Sequence, residues 1–139
     1  MNLLISCCGH YRDHGRGKGG LLIWRDGHLD VLDERDTTGI CLSDRGELWR
    51  YCRKNRELWR YGSDGYLADV WQMPGIRNGH DVKVRDELVV LSNTGYNEIR
   101  FYEDTGRLIH TWQAPGEGDA WHINSLWFVE HELHFTAFG

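Results

Sequence analysis

The residues best suited to chemistry in this 139-residue sequence are two short histidine segments, Asn78-Gly79-His80-Asp81 and Trp121-His122-Ile123-Asn124. His80, Asp81, His122 and Asn124 together can grip a polar ligand. The two imidazoles with the Asp81 carboxylate suit zinc or a similar divalent ion, calcium or manganese included, with water in any open position. The plainer reading is that both histidines cap strands and hydrogen-bond neighbouring backbone. A second group, Arg12, Arg16 and Lys18, lies in the glycine-rich segment Gly9 to Gly20 and can clamp an anionic ligand. Gly15-Arg16-Gly17-Lys18-Gly19-Gly20 formally matches G-x-G-x-x-G, but dinucleotide binding needs a helix to follow, and the apolar run Leu21 to Trp24 reads as a strand. No serine sits in a nucleophile elbow, and among 21 carboxylates no acid–base pair stands out.

What positions these residues is a repeat. Gly39 to Gly75 recurs as His80 to Gly116: Glu57-Leu58 returns as Glu98-Ile99, Tyr61 as Tyr102, Gly65 as Gly106, and Trp71-Gln72-x-Pro74-Gly75 as Trp112-Gln113-x-Pro115-Gly116. The offset is 41 throughout that run (98 − 57, 116 − 75), and matching Glu47 to Glu87 places a one-residue slip between the first two strands of the unit. A period of this length built from short strands predicts blades of a β-propeller. Asp26-Gly27 between two apolar runs is a strong hairpin signal, and Ser63-Asp64-Gly65 and Asp104-Thr105-Gly106 read as the same hairpin made again. No stretch has helical periodicity.

With blade strands lettered A to D from the axis outward, the expected order is B-C-D, A-B-C-D, A-B-C-D, A-B. This gives a partial blade over 1–36, full blades over 37–77 and 78–120, and a partial blade over 121–139. The starts of A strands lie at one mouth of a propeller's channel, where ligands are commonly held. Those starts are Thr37-Thr38-Gly39, Asn78-Gly79-His80-Asp81 and Trp121-His122-Ile123-Asn124; alignment puts either His122 or Ser125 opposite His80. About three blades leave open sheet edges, so two copies are expected to close a six-bladed, two-fold homodimer, with His122 to Val129 supplying the innermost strand of the partner's first blade. The front half of a longer protein and an excised or designed half propeller are the competing expectations.

Composition narrows the classes further. A net charge of −5, with 16 Lys and Arg scattered among 21 Asp and Glu, leaves no basic face for nucleic acid. No apolar run reaches membrane-spanning length, and Met1 to Cys8 is a poor signal peptide. Cysteines at 7, 8, 41 and 52 form no C-x-x-C pair, so buried reduced thiols and a cytoplasmic setting are expected. The seven tryptophans, Trp71 and Trp112 above all, read as inter-blade packing.

Ser92-Asn93-Thr94-Gly95-Tyr96-Asn97-Glu98-Ile99, Trp121-His122-Ile123-Asn124-Ser125-Leu126 and Phe135-Thr136-Ala137-Phe138-Gly139 resemble an uncharacterised bacterial propeller family with N-T-x-aromatic, H-[IL]-N-x-L and T-A-[FL]-G motifs. More distantly the sequence is similar to six-bladed NHL and gluconolactonase-like propellers, some of them metal-dependent lyases or lactonases. The resemblance covers the second half well and implies channel-facing roles for His122 and Asn124, in a chain about half the usual length. Two functions follow as expectations: a self-associating module binding a ligand or protein at the channel mouth, or a lyase- or lactonase-type enzyme with a metal at the axis.

Overall fold

Short strands joined mostly by tight turns dominate the described residues. The computed structural model describes residues 2–9 and 19–139, and these form thirteen strands and a single 3-10 turn at Thr94–Tyr96. The first sheet joins β1 (Leu3–Cys7), β2 (Gly20–Arg25) and β3 (His28–Asp33). The second runs β4 (Thr37–Leu42), β5 (Leu48–Cys52), β6 (Glu57–Tyr61), β7 (Leu67–Gln72), and the third β8 (Gly79–Arg85), β9 (Leu88–Asn93), β10 (Glu98–Glu103), β11 (Leu108–Gln113). The last pairs β12 (Ile123–Val129) with β13 (Glu132–Ala137). Every pairing is antiparallel between consecutive strands. The chain is therefore an all-β half propeller of four-stranded blades, with three strands in its first sheet and two in its last.

Turn chemistry sets the hairpins, in two forms. Asp26 and Gly27 both have positive φ (52° and 85°), the two-residue turn whose twist matches the strands it joins. Gly65 and Gly106 (φ 82° and 86°) instead end longer loops, in which Gly62 bonds Tyr66 and Glu103 bonds Arg107 through the backbone. The third-to-fourth-strand hairpin is thus made in two ways and not one.

Register keeps the slip in the turn between the first two strands of the unit and reverses its sign. Cys52 pairs with Glu57 as Asn93 pairs with Glu98, so the 41-residue offset extends back through the whole second strand. The change comes in the turn before it, where Leu42 meets Leu48 but Val84 meets Val89. The inner strands are consequently offset by 42 (84 − 42).

Two apolar cores lie between blades. Trp49, Tyr51, Leu58, Met73 and Ile76 of the second blade meet Val82, Val84, Val89, Leu91 and Tyr102 of the third, with Trp71 against them edge-to-face on Trp49 at 5.1 Å. Val90 and Ile99 meet Ile123 and Leu126 in the other, flanked by Trp112, Phe128 and Phe135. The joint between first and second blades differs in kind: fully buried Arg50 reaches Asp33 Oδ1 at 3.1 Å, the Arg35 carbonyl at 3.0 Å and Thr37 Oγ1 at 2.9 Å. Arg35 in turn lies 4.3 Å over the Trp59 ring. All four cysteines are free thiols; Cys52 is buried, which pushes it up to about 11, whereas Cys7 and Cys8 are exposed, against the expectation of burial.

Candidate functional site

The inner strands β4, β8 and β12 neighbour one another across blades and place one residue of each at a common position. Each strand carries a bulge near its start. Thr38 is extra between the pairs Thr37–Cys52 and Gly39–Tyr51; His80 and Asp81 lie between Gly79–Asn93 and Val82–Leu91; Asn124 and Ser125 lie between Ile123–Ala137 and Leu126–Phe135. Local hydroxyls hold the bulges: Ser92 Oγ accepts from the His80 and Asp81 N–H groups at 3.1 and 2.8 Å, and Thr136 Oγ1 from the Ser125 N–H at 3.2 Å. Counting from these pairs, Thr38, His80 and Asn124 are equivalent, at offsets of 42 and 44 (80 − 38, 124 − 80). The residue opposite His80 is therefore Asn124, and neither His122 nor Ser125. His122 matches Asn78, and both adopt left-handed backbone, φ 45° and 54°.

At this end of the inner strands the side chains reach from blade to blade. Thr38 Oγ1 donates to the Gly79 carbonyl at 2.7 Å. His80 Nδ1 meets Asn124 Oδ1 at 2.9 Å, and His122 Nδ1 meets Asp119 Oδ2 at 2.9 Å. The two imidazoles stand edge-to-face, 4.9 Å between ring centres and 76° between planes. With Asn124 Oδ1 as acceptor, His80 carries its proton on Nδ1; its Nε2 is buried and has no hydrogen-bond partner among the described residues. Burial holds His80 below its ordinary 6.5 against the opposing hydrogen bond from Asn124, with the Arg53 charge acting in the same direction as burial, so the ring is neutral at pH 7. Arg53 crosses the same end, bonding Asp36 Oδ2 at 3.2 Å and Asn78 Oδ1 at 3.4 Å.

Asp81 stands apart from the others. Its Oδ2 accepts the Leu126 N–H at 2.8 Å, while Oδ1 accepts from the Val82 N–H and from Lys83 Nζ, each at 2.9 Å. The carboxylate is fully engaged in tying the third blade to the fourth. Two residues of the Ser92 to Ile99 run complete the frame. Asn97 Oδ1 takes the Trp121 N–H at 2.9 Å, and Thr94 Oγ1 donates to the Ile123 carbonyl, so both hold the segment before β12. Asp119 orients His122; its one sequence signal is a position three residues before it.

Arg12, Arg16 and Lys18 lie outside the described residues. The flanking Gly9 does lie at this end: its N–H donates to Asp36 Oδ1 at 2.7 Å. Among the described residues no group of three or more His, Cys, Asp or Glu side chains is placed to hold a metal ion. Calcium in particular fits poorly, since it takes six to eight oxygens and the acidic oxygens of Asp81 are already bonded. No helix among the described residues is long and apolar enough to cross a membrane.

No protein-family model matches the sequence, and no curated protein sequence matches it. Solved structures do. The chain is similar to a streptogramin B lyase (TM-score 0.66, 15% identity, 86% of this chain and 42% of that one). It is similar to glutaminyl cyclase of Myxococcus xanthus (0.65, 17%, 86% and 53%) and to regucalcin, a calcium-binding protein of Agrobacterium tumefaciens (0.61, 17%, 78% and 40%). These likenesses establish the propeller fold. The chain spans about half the length of these relatives or less.

Proposed function

We propose that this chain is a self-associating half propeller that binds a ligand or protein partner at the mouth formed by the starts of its inner strands, through His80, His122 and Asn124. The observation that carries the reading is His80 Nε2, a buried acceptor left unpartnered beside a second, carboxylate-oriented imidazole. Buried polar atoms are nearly always bonded, and exceptions point to a missing partner. A thermal-shift screen of small polar metabolites tests it. Ligands that raise the melting temperature of the wild type should lose that effect in His80→Phe; ligands indifferent to the substitution would move the site elsewhere.

Self-association draws on the outer face of the first blade. Leu3, Trp24 and Leu29 form one cross-strand row and Ile5, Leu22 and Val31 the next, with Leu3, Trp24, Leu29 and Val31 each at least 40% exposed. In the third blade the equivalent face, with Val89 and Leu91, is buried against a preceding blade. Two copies together match the length of one propeller among the relatives. Since β12 already pairs with β13, completion of the partner's first blade requires β13 to yield its place to the partner's β1, or to replace it. Light scattering should give twice 16.2 kDa; a monomer with these faces in water would refute closure.

A second reading, a lyase- or lactonase-type enzyme at the same mouth, is favoured by the Asp119–His122 pair, which has the form of an oriented general base. Lactone hydrolysis or elimination that disappears in His122→Ala would select it.

A further inference from the structure

We propose that His80 and His122 form a two-imidazole chelate for a borderline divalent transition ion of the zinc class. The proposal deepens the mouth-ligand reading and rests on its placement of the site. Histidines that ligate metals through one ring nitrogen almost always donate the other N–H to a carboxylate, amide or carbonyl oxygen, which fixes the tautomer and aims the ring. Both rings here are held in that way: His80 Nδ1 on Asn124 Oδ1 and His122 Nδ1 on Asp119 Oδ2, each at 2.9 Å. Both Nε2 atoms are thereby left as lone-pair donors, and that of His80 is buried with no partner among the described residues.

The spacing agrees. With a zinc–nitrogen bond of about 2.0–2.1 Å each ring centre lies about 3.2 Å from the metal, so a tetrahedral angle separates two ring centres by about 5.2 Å. The observed separation is 4.9 Å with the rings nearly perpendicular. An oxygen-seeking ion finds no such set, because the Asp81 carboxylate is spent on Leu126, Val82 and Lys83. Arg53, the cation nearest in influence to His80, is balanced by its own ion pair with Asp36. Two protein ligands leave the remaining positions to water or to an anionic group of a bound molecule, so the ion would sit at the mouth with open sites.

Zinc chloride titrated into the full chain against a colorimetric chelator tests the proposal, with cobalt(II) absorption as a direct view of the ligand field. One tight equivalent is expected, unaffected by excess calcium. His80→Ala and His122→Ala should each weaken binding by about 100-fold or more, and Asp119→Ala by about 10–100-fold with both imidazoles still present. If His80→Ala fails to fold, histidine side-chain 15N spectra of the wild type replace it: zinc should shift two Nε2 resonances and leave their Nδ1–H partners protonated. Binding that survives His122→Ala unchanged, or zinc shifts confined to other histidines, would overturn the chelate. Mass measured in the same samples separates the two ideas. A zinc-binding monomer would overturn ring closure and keep the site, whereas a dimer that binds metabolites through His80 but no zinc would keep the mouth and overturn the metal.

Discussion

Arg50 and Leu91 occupy one position in successive blades, 41 residues apart (91 − 50), and face the preceding blade in opposite chemical terms. Leu91 is buried within the apolar core between the second and third blades. Arg50 is equally buried, but meets Asp33, Thr37, Tyr61 and the Arg35 carbonyl, all polar. One joint is held by area removed from water, which is indifferent to pH and strengthens with packing. The other is held by a buried cation whose desolvation must be met by every acceptor around it. The lesson is that equivalent blades need not be joined by equivalent forces, and that the first blade is attached by the more conditional of the two.

The harshest way to break the contrast is Asp33→Ala, which leaves a buried guanidinium with neutral acceptors only. It should cost about 3–5 kcal/mol in urea unfolding; a loss below about 1 kcal/mol would show that Thr37, Tyr61 and the Arg35 carbonyl suffice. The double change Asp33→Ala with Arg50→Leu rebuilds the apolar arrangement of the other joint and should recover to within about 1 kcal/mol of wild type. Next in size, Leu91→Ala should cost about 3 kcal/mol, equally at pH 4 and pH 8 and at low and high salt. A marked salt dependence there would erase the distinction between the joints.

Acid provides a milder probe. Burial alone would raise the Asp33 carboxyl, but the hydrogen bonds from Arg50 and the Arg35 N–H, with both guanidinium charges, outweigh it and hold it below 3.8. A depressed carboxylate contributes stability that is complete above its unfolded value and fades as pH falls below 3.8. Hydrogen exchange at β2 amides should therefore accelerate below that pH before exchange at β9 does; simultaneous loosening would mean the joints are not independent. The smallest effect belongs to Arg35→Lys, which keeps the charge but gives up the planar stack on Trp59. We expect about 0.5–1 kcal/mol by thermal melting, and no change would make that stack ornamental.

Much of this architecture is legible in sequence because the third and fourth strands of the two full blades repeat at a constant 41. The blades and the inter-blade packing of Trp71 and Trp112 follow directly from it. The inner strands are harder to read, since a longer turn after β4 shifts the first offset to 42 (80 − 38) and a longer connection before β12 carries the whole fourth blade to 44 (124 − 80, 137 − 93). That drift is why the equivalence of Thr38, His80 and Asn124 is visible only in the pairing. His80, His122 and Asn124 do meet, as their place at strand starts implies, whereas Asp81 serves the frame because its acceptors are all taken by groups up to 45 residues away. Arg50 gives no sign of burial in Leu48-Trp49-Arg50-Tyr51-Cys52, where alternation would put it in water. Asp33 and the Arg35 carbonyl come from the stretch before its own blade, Thr37 and Tyr61 from strands of the same sheet, and only the packed fold brings the four together.

The latch from Asp81 to Leu126 has a last consequence, in how interchangeable the blades are. The equivalent residue in the second blade is Gly39, whose missing Cβ would lie 2.8 Å from the Asp81 Cα and from Val82 N. The second blade lays bare backbone against the third there, whereas the third reaches the fourth through a carboxylate, so the units have an order. A chain rebuilt by copying the third blade into the second position would drive a carboxylate into backbone, although its strands would still pair in register. Swapping blades as modules would therefore fail at a single methylene, and a redesign of this repeat has to carry Gly39 and Asp81 as a pair.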